Sequence, residues 1–151
     1  MAKLLILFHS QSGNTLQLAQ SVYRGALAVE EVESRLLRAT DAGLDELLWC
    51  DGLLLGTPEN FGYMSGGLKD FFDRTYYPAQ DRVTAKPYAL FISCENDGTG
   101  AVGQIERIAR GYALKPVLEP LICRGAVSAS CLAQAHELGM TMAAGLDIGI
   151  Y

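Results

Sequence analysis

Three things are scarce in this chain: basic clusters, metal-ligand spacing and long apolar runs. Each scarcity closes off a class of function. The sequence has 12 Lys and Arg against 17 Asp and Glu, a formal net charge of -5. Nucleic acids and anionic membrane surfaces select for the opposite balance, so neither is an expected partner. Only His9 and His136 are present, and Cys50, Cys94, Cys123 and Cys131 show no C-x-x-C spacing, so no metal site is expected. No stretch approaches the roughly 20 apolar residues of a membrane span. The run Leu4–Phe8 is too short for the apolar core of a secretory leader, which makes the cytoplasm the expected compartment. Repeats, low-complexity tracts and linkers are also missing. With 151 residues, 50% hydrophobic and 19% charged, the chain reads as one domain over 1–151 with a core of its own.

What is present is an alternation of strands and helices. Apolar runs at Lys3–Phe8, Asp51–Thr57 and Pro87–Ser93 read as strands, the second as continuous as expected of a parallel strand covered on both faces. A more polar run at Val32–Leu37 reads as an edge strand. Val117–Cys123 reads as a fifth strand, confined to an edge by Pro120, which cannot donate to the ladder. Between them lie helix-period segments. The first carries Leu16, Ala19, Tyr23, Ala26 and Leu27, and the second Leu68, Phe71, Phe72 and Thr75. The third carries Val102, Ile105, Ala109 and Tyr112, and the last Leu132, Ala135, Leu138, Met142 and Leu146. One helical turn is expected near Leu44–Leu48, and polar connection from Pro78 to Lys86. Right-handed crossovers then give an α/β fold, a five-stranded parallel sheet with helices on both faces in the order 2-1-3-4-5. In such a sheet a ligand lies beyond the carboxyl ends of the strands, where the order reverses between strands 1 and 3.

Three loops leave the strands at that edge. The first, His9–Thr15, joins a strand to a helix and so meets amides without intrahelical partners. Ser10, Ser12 and Thr15 offer hydroxyls, Asn14 an amide, and Gly13 close backbone approach, a set suited to a phosphate held without any cation. A plain helix cap by Ser12 or Asn14 is the competing reading of this loop alone. The second, Thr57–Met64, brings Glu59, Asn60, Phe61 and Tyr63 around Pro58 and Gly62. The third, Cys94–Gly100, is small and polar. Together they match a phosphate-bearing ligand with a flat amphipathic ring, such as flavin mononucleotide (FMN). Gly98-Thr99-Gly100-Ala101-Val102-Gly103 is a literal G-x-G-x-x-G. Too little sheet follows it for a dinucleotide fold, so it reads as a loop bordering the ring. His9-Ser10 and Gly56-Thr57 stand where a receiver domain needs acids, and no Cys has the Arg of a tyrosine phosphatase loop.

Three motifs carry a resemblance along essentially the whole chain. They are Ser-x-Ser-Gly-x-Thr at Ser10–Thr15, Gly56-Thr57-Pro58 running into Phe61-Gly62-x-Met64-Ser65-Gly66, and Leu68-Lys69-x-Phe71-x-Asp73-Arg74-Thr75. The chain resembles flavodoxin-like FMN proteins, above all the NAD(P)H:quinone oxidoreductases of the Trp-repressor-binding-protein type and the related FMN reductases. That resemblance implies a flavodoxin-like three-layer α/β/α sandwich. It implies an FMN phosphate on Ser10, Gln11, Ser12, Gly13, Asn14 and Thr15. The flavin ring would lie against Thr57, Pro58, Glu59, Asn60, Phe61, Gly62 and Tyr63, and against Ser93, Cys94, Glu95, Asn96, Asp97 and Gly98. NAD(P)H would be the reductant and a quinone-like molecule or redox protein the acceptor. A homodimer is the assembly the resemblance admits. Two departures stand out: the span Tyr76–Lys86 lacks the insertion that builds the tetramer of those reductases, and the third loop has no aromatic. A ring uncovered on one face can take a hydride from a nicotinamide stacked at about 3–3.5 Å, whereas a ring covered on both serves a one-electron carrier. The expected function is therefore an oxidoreductase. A flavodoxin-type carrier or a non-catalytic binding module of the same fold are the alternatives.

Overall fold

Strand β1 (Ala2–Phe8) shows why the sheet sits where it does. Its residues alternate between two cores: Leu4, Ile6 and Phe8 face one side and Leu5 and Leu7 the other, and all five are buried. A computed structural model describes all residues, 1–151. The remaining elements are α1 (Asn14–Leu27), β2 (Val32–Arg38), a single 3-10 turn at Ala39–Asp41, α2 (Leu44–Trp49), β3 (Gly52–Asn60), β4 (Tyr63–Met64), α3 (Gly66–Ala79), β5 (Pro87–Cys94), α4 (Thr99–Tyr112), β6 (Lys115–Pro116), β7 (Leu121–Arg124) and α5 (Ala129–Ile148).

The sheet runs β2-β1-β3-β5, with parallel pairing throughout, and β6 and β7 both pair with the outer edge of β5. Helices α1 and α5 cover one face over Leu54, Ala89 and Phe91; α2, α3 and α4 cover the other over Leu53, Leu55, Leu90 and Ile92. The architecture is the expected three-layer α/β/α sandwich. No helix is long and apolar enough to cross a membrane.

Four details differ from the sequence reading, each for a local reason. The fifth strand is not Val117–Cys123 but two short strands, because Pro116 and Pro120 bracket a segment that leaves the ladder. Helix α3 runs through Pro78 to Ala79; a proline so near the end forfeits little of the remaining helical hydrogen bonding. The buried face of α1 is centred on Leu18, Val22 and Gly25 rather than on Leu16 and Tyr23, and Leu27 is exposed. Its real contact is made by small residues: a Cβ on Gly25 would stand 1.9 Å from the His136 carbonyl oxygen of α5, and one on Gly139 of α5 would stand 1.9 Å from that of Val22. Finally, Thr57–Met64 is not an open loop. Strand β3 continues to Asn60 and folds back on β4 as an antiparallel hairpin.

Candidate flavin site at the carboxyl edge of the sheet

The three loops do meet, and side chains stitch each to another. Loop one is bound to loop two by Asn60, whose Nδ2 donates to Gln11 Oε1 at 2.9 Å. It is bound to the end of β5 by Thr15 and Ser93, whose hydroxyls share a buried hydrogen bond of 2.8 Å. Loop two is bound to loop three by Glu59. Its carboxylate accepts from Gly98 N at 3.3 Å and from Ala101 N at 3.0 Å, so it caps helix α4 from a neighbouring strand. Backbone contact closes the same joint: a Cβ on Gly100 would lie 2.1 Å from the Gly62 carbonyl oxygen.

In loop one, Gly13 occupies the N-cap of α1 with φ 106°, a left-handed value that glycine adopts without strain, and itself has no side chain to cap the helix. Neither Ser12 nor Asn14 is the cap. Ser10 Oγ accepts from Leu16 N at 3.2 Å, which leaves the amides of Asn14 and Thr15 as first-turn donors without an intrahelical acceptor. Nothing lies within 4 Å of where a Gly13 Cβ would point, and Gln11 and Ser12 are exposed. Donors, open space and a positive helix end coincide there, which fits a phosphate.

Loop two is built on Thr57, whose Oγ1 accepts from Ser65 N at 2.9 Å and donates within a buried pair to Ser65 Oγ at 3.1 Å. At its tip Phe61 and Gly62 both have positive φ, 53° and 70°, as a two-residue hairpin turn of the primed kind requires. Phe61 is fully exposed. A left-handed non-glycine costs about 1–2 kcal/mol, and an aromatic there gains nothing from the protein's own core. Pro58, Glu59 and Asn60 are half-buried along the hairpin, while the Tyr63 ring lines a cleft of about 550 Å³ between α3 and α4, together with Lys69 and Phe72. The three loops themselves form an open shelf instead of a closed cavity.

Loop three presents Glu95, Asn96 and Asp97 to solvent. Thr99 donates to Asp97 Oδ1 through its amide at 3.0 Å and its hydroxyl at 2.8 Å, and these bonds hold the Asp97 carboxyl below its ordinary range. Cys94 is buried beneath the loop, and burial, reinforced by the Glu59 charge, raises its thiol pKa. It is a packed residue and no nucleophile. Gly98, again left-handed, is the N-cap of α4, and positions 99–103 are already helical, so the G-x-G-x-x-G forms no dinucleotide turn. His9 Nδ1 is buried without a partner at the end of β1.

Gly100 was not foreseen as part of the joint between loops. The only trace in the sequence is a small residue at the first turn of a helix, which many helices share.

Comparison with known proteins places these features in a family. The sequence model of the NADPH-dependent FMN reductases matches residues 38–120, more than half of the chain. A flavodoxin of Aquifex aeolicus (strain VF5) is 34% identical over 100 residues, 66% of this chain and 54% of the relative. An NAD(P)H dehydrogenase (quinone) of Acidithiobacillus ferrooxidans (strain ATCC 53993 / BNL-5-31) is 30% identical over 114 residues, 62% of this chain and 57% of the relative. The chain thus spans a little over half the length of these curated relatives. Among solved structures, a flavodoxin from the domain Archaea superposes with a TM-score of 0.78 at 20% identity, covering 95% of this chain and 98% of that one, which shows the fold. The chain belongs to the NADPH-dependent FMN reductase family and has the flavodoxin-like fold.

Proposed function

We propose that this chain, acting as one domain, is an FMN-dependent oxidoreductase that draws reducing equivalents from NAD(P)H and delivers them to a quinone-like acceptor. Family membership supports the cofactor, and the quinone-reducing relative supports the acceptor class. The observation that carries the reading is the stitching of three loops into one rim by Asn60–Gln11, Glu59–Gly98 and Thr15–Ser93.

In this reading the Asn14 and Thr15 amides with the Ser10 and Ser12 hydroxyls hold the phosphate, a neutral cradle at a helix N-terminus. The Pro58–Tyr63 hairpin and the Ser93–Gly98 loop hold the ring, with Phe61 against its edge or face. Bound FMN supplies the hydride-accepting heterocycle. The chain's residues position and tune. Glu59 spends its charge on two amides of loop three, so it braces the rim without standing as a free anion. Loop three carries only small polar side chains, which leaves room for a nicotinamide or quinone to approach. The compartment is the cytoplasm and the working assembly a homodimer.

The test is spectroscopic. Purified protein titrated with FMN should quench its fluorescence at one equivalent. Anaerobic NADPH or NADH should then bleach the flavin band within seconds, and a quinone should restore it. Quenching without bleaching by either nucleotide would favour the second reading, a one-electron carrier, which the Aquifex flavodoxin supports. Absence of quenching would sink both.

A further inference from the structure

Helices α3 and α4 cover the same face of the sheet, and between them lies a cleft of about 550 Å³. That volume falls in the range that takes a small organic ligand. Of the residues in the three loops only Tyr63 borders it, so the cleft is a separate feature from the shelf beyond the strand ends.

Sequence spacing fills this cleft with aromatic rings. Phe72, Tyr76 and Tyr77 stand at i, i+4 and i+5 of α3, and Tyr112 comes from the last turn of α4. The Tyr112 hydroxyl donates to Phe72 O at 2.7 Å, which ties the two helices together at the base of the cleft. The Tyr112 ring centroid lies 5.7 Å from that of Phe72 and 5.2 Å from that of Tyr76, and Tyr76 stands 5.2 Å from Tyr77, all in tilted or edge-to-face pairs. The rings thus run unbroken from buried Phe72 to Tyr77, which is 77% exposed. A flat aromatic guest finds both ring faces and ring edges there. Gly111 leaves the space open: a Cβ on it would stand 3.5 Å from Tyr76 Cε1, so a longer side chain would occupy the cleft.

The charges select the guest further. Lys69 and Asp73, both on α3, pair at 2.6 Å and cancel. Arg107 of α4 also borders the cleft; it is exposed, and no ion pair in the protein includes it. The sequence explains why, since the residues at i±3 and i±4 from it are Gln104, Arg110, Gly103 and Gly111, none of them acidic. One uncompensated cation therefore stands over an aromatic cleft in a chain whose net charge is -5. We propose that the α3–α4 cleft is a binding site for a small planar aromatic molecule that carries one anionic group, its rings against Phe72, Tyr76 and Tyr112 and its anion at Arg107. The site stands independently of the flavin reading.

The probe is 2-naphthoate, and the experiment is equilibrium dialysis of the whole chain, first without FMN and then with FMN in excess. Naphthoate should saturate at one equivalent in both. The neutral analogue 2-naphthalenemethanol should bind about tenfold more weakly, and Arg107→Gln should weaken naphthoate by a similar factor, as expected for loss of one charge-assisted contact. Gly111→Leu should abolish binding by filling the cleft. Leucine favours a helix more than glycine does, so this variant should keep the wild-type circular dichroism spectrum. Absence of saturable naphthoate binding in the wild type would overturn the proposal. So would equal affinity for the alcohol, undiminished binding in Gly111→Leu, or displacement of naphthoate by FMN.

Discussion

Replacing Glu59 by glutamine isolates the joint between loops two and three. The carboxylate accepts from two amides at the N-terminus of α4, at 3.3 and 3.0 Å. Glutamine keeps one acceptor oxygen and turns an NH2 donor toward the other amide, so one of the two bonds becomes a donor–donor conflict. Loss of a side-chain cap costs about 0.5–2 kcal/mol, and loss of the charge at a helix N-terminus costs about 0.3–1 kcal/mol at low salt. The group is half-buried, so the lower part of each range applies, and Glu59→Gln should lose roughly 1–2 kcal/mol. For a domain of this size that lowers Tm by about 2–8 °C. Because the joint sets the spacing of two of the three loops, FMN affinity should fall with it, by about tenfold for each 1.4 kcal/mol that passes to the bound state. Thermal melts of the flavin-free protein at low and high salt measure the first effect, and fluorescence titration the second. The salt dependence should shrink in the variant, since the charge–dipole part is screened. An unchanged Tm and unchanged FMN affinity would refute the idea that this carboxylate braces the rim.

Gly100→Ala tests the same joint through sterics: its Cβ would stand 2.1 Å from the Gly62 carbonyl oxygen, so a stability loss of about 1–3 kcal/mol is expected by denaturant titration. Thr15→Val should cost about 1–3 kcal/mol and weaken FMN binding, because it strands the buried Ser93 hydroxyl; Thr15→Ser should restore most of both. Phe61→Asn should behave in the opposite way, gaining up to about 1 kcal/mol in the flavin-free protein by relieving a left-handed aromatic while FMN is held less tightly; equal binding would remove Phe61 from the site. Alkaline pH should destabilise the fold. The Cys50 thiol titrates near 9.0 unfolded and near 11 folded, because burial disfavours its thiolate. Between those values the unfolded chain holds fewer protons, so stability present below pH 9 is lost as pH rises toward 11, by up to roughly 2–3 kcal/mol. Denaturant unfolding from about pH 8 to 10.5 measures this, and Cys50→Ala should flatten part of the slope.

The sequence reading fared best where one physical effect dominates. Leu4–Phe8, Leu53–Leu55 and Tyr88–Ile92 are continuous apolar runs because parallel strands here are buried on both faces, and each was found as a strand. Reading became harder where two effects compete. The outer edge of β5 looked like one strand by its apolar content, but Pro116 and Pro120 remove donors, and the ladder breaks into β6 and β7. The face of α1 was rotated because Ser21 and Gly25 do not score as apolar, yet they are buried where α5 approaches closely. The hairpin was missed for a third reason. Primed turns are recognised by Asn-Gly or Asp-Gly, and Phe61-Gly62 presents a residue with no intrinsic preference for the conformation it adopts.

The candidate site divides along the same line. The sequence marks the strand-to-helix turn at His9–Thr15, and the structure leaves the Asn14 and Thr15 amides there without intrahelical acceptors. The rigidity of the rim could not be read, because it comes from bonds such as Gln11–Asn60 and Glu59–Ala101 between positions far apart in sequence. That rigidity has a functional consequence. Under the proposed function, a phosphate held at Asn14 and Thr15 without a cation would gain no long-range charge attraction, so its affinity would depend on donors already in place and on loops that need no ordering when the ligand arrives. Cross-loop bonds supply that preorganisation. Among them, Glu59 of loop two is tied to two backbone amides of loop three and α4. Under the proposed function, a carboxylate turned toward the ring would oppose negative charge on its reduced form, whereas Glu59 is bonded to the Gly98 and Ala101 amides and braces the rim.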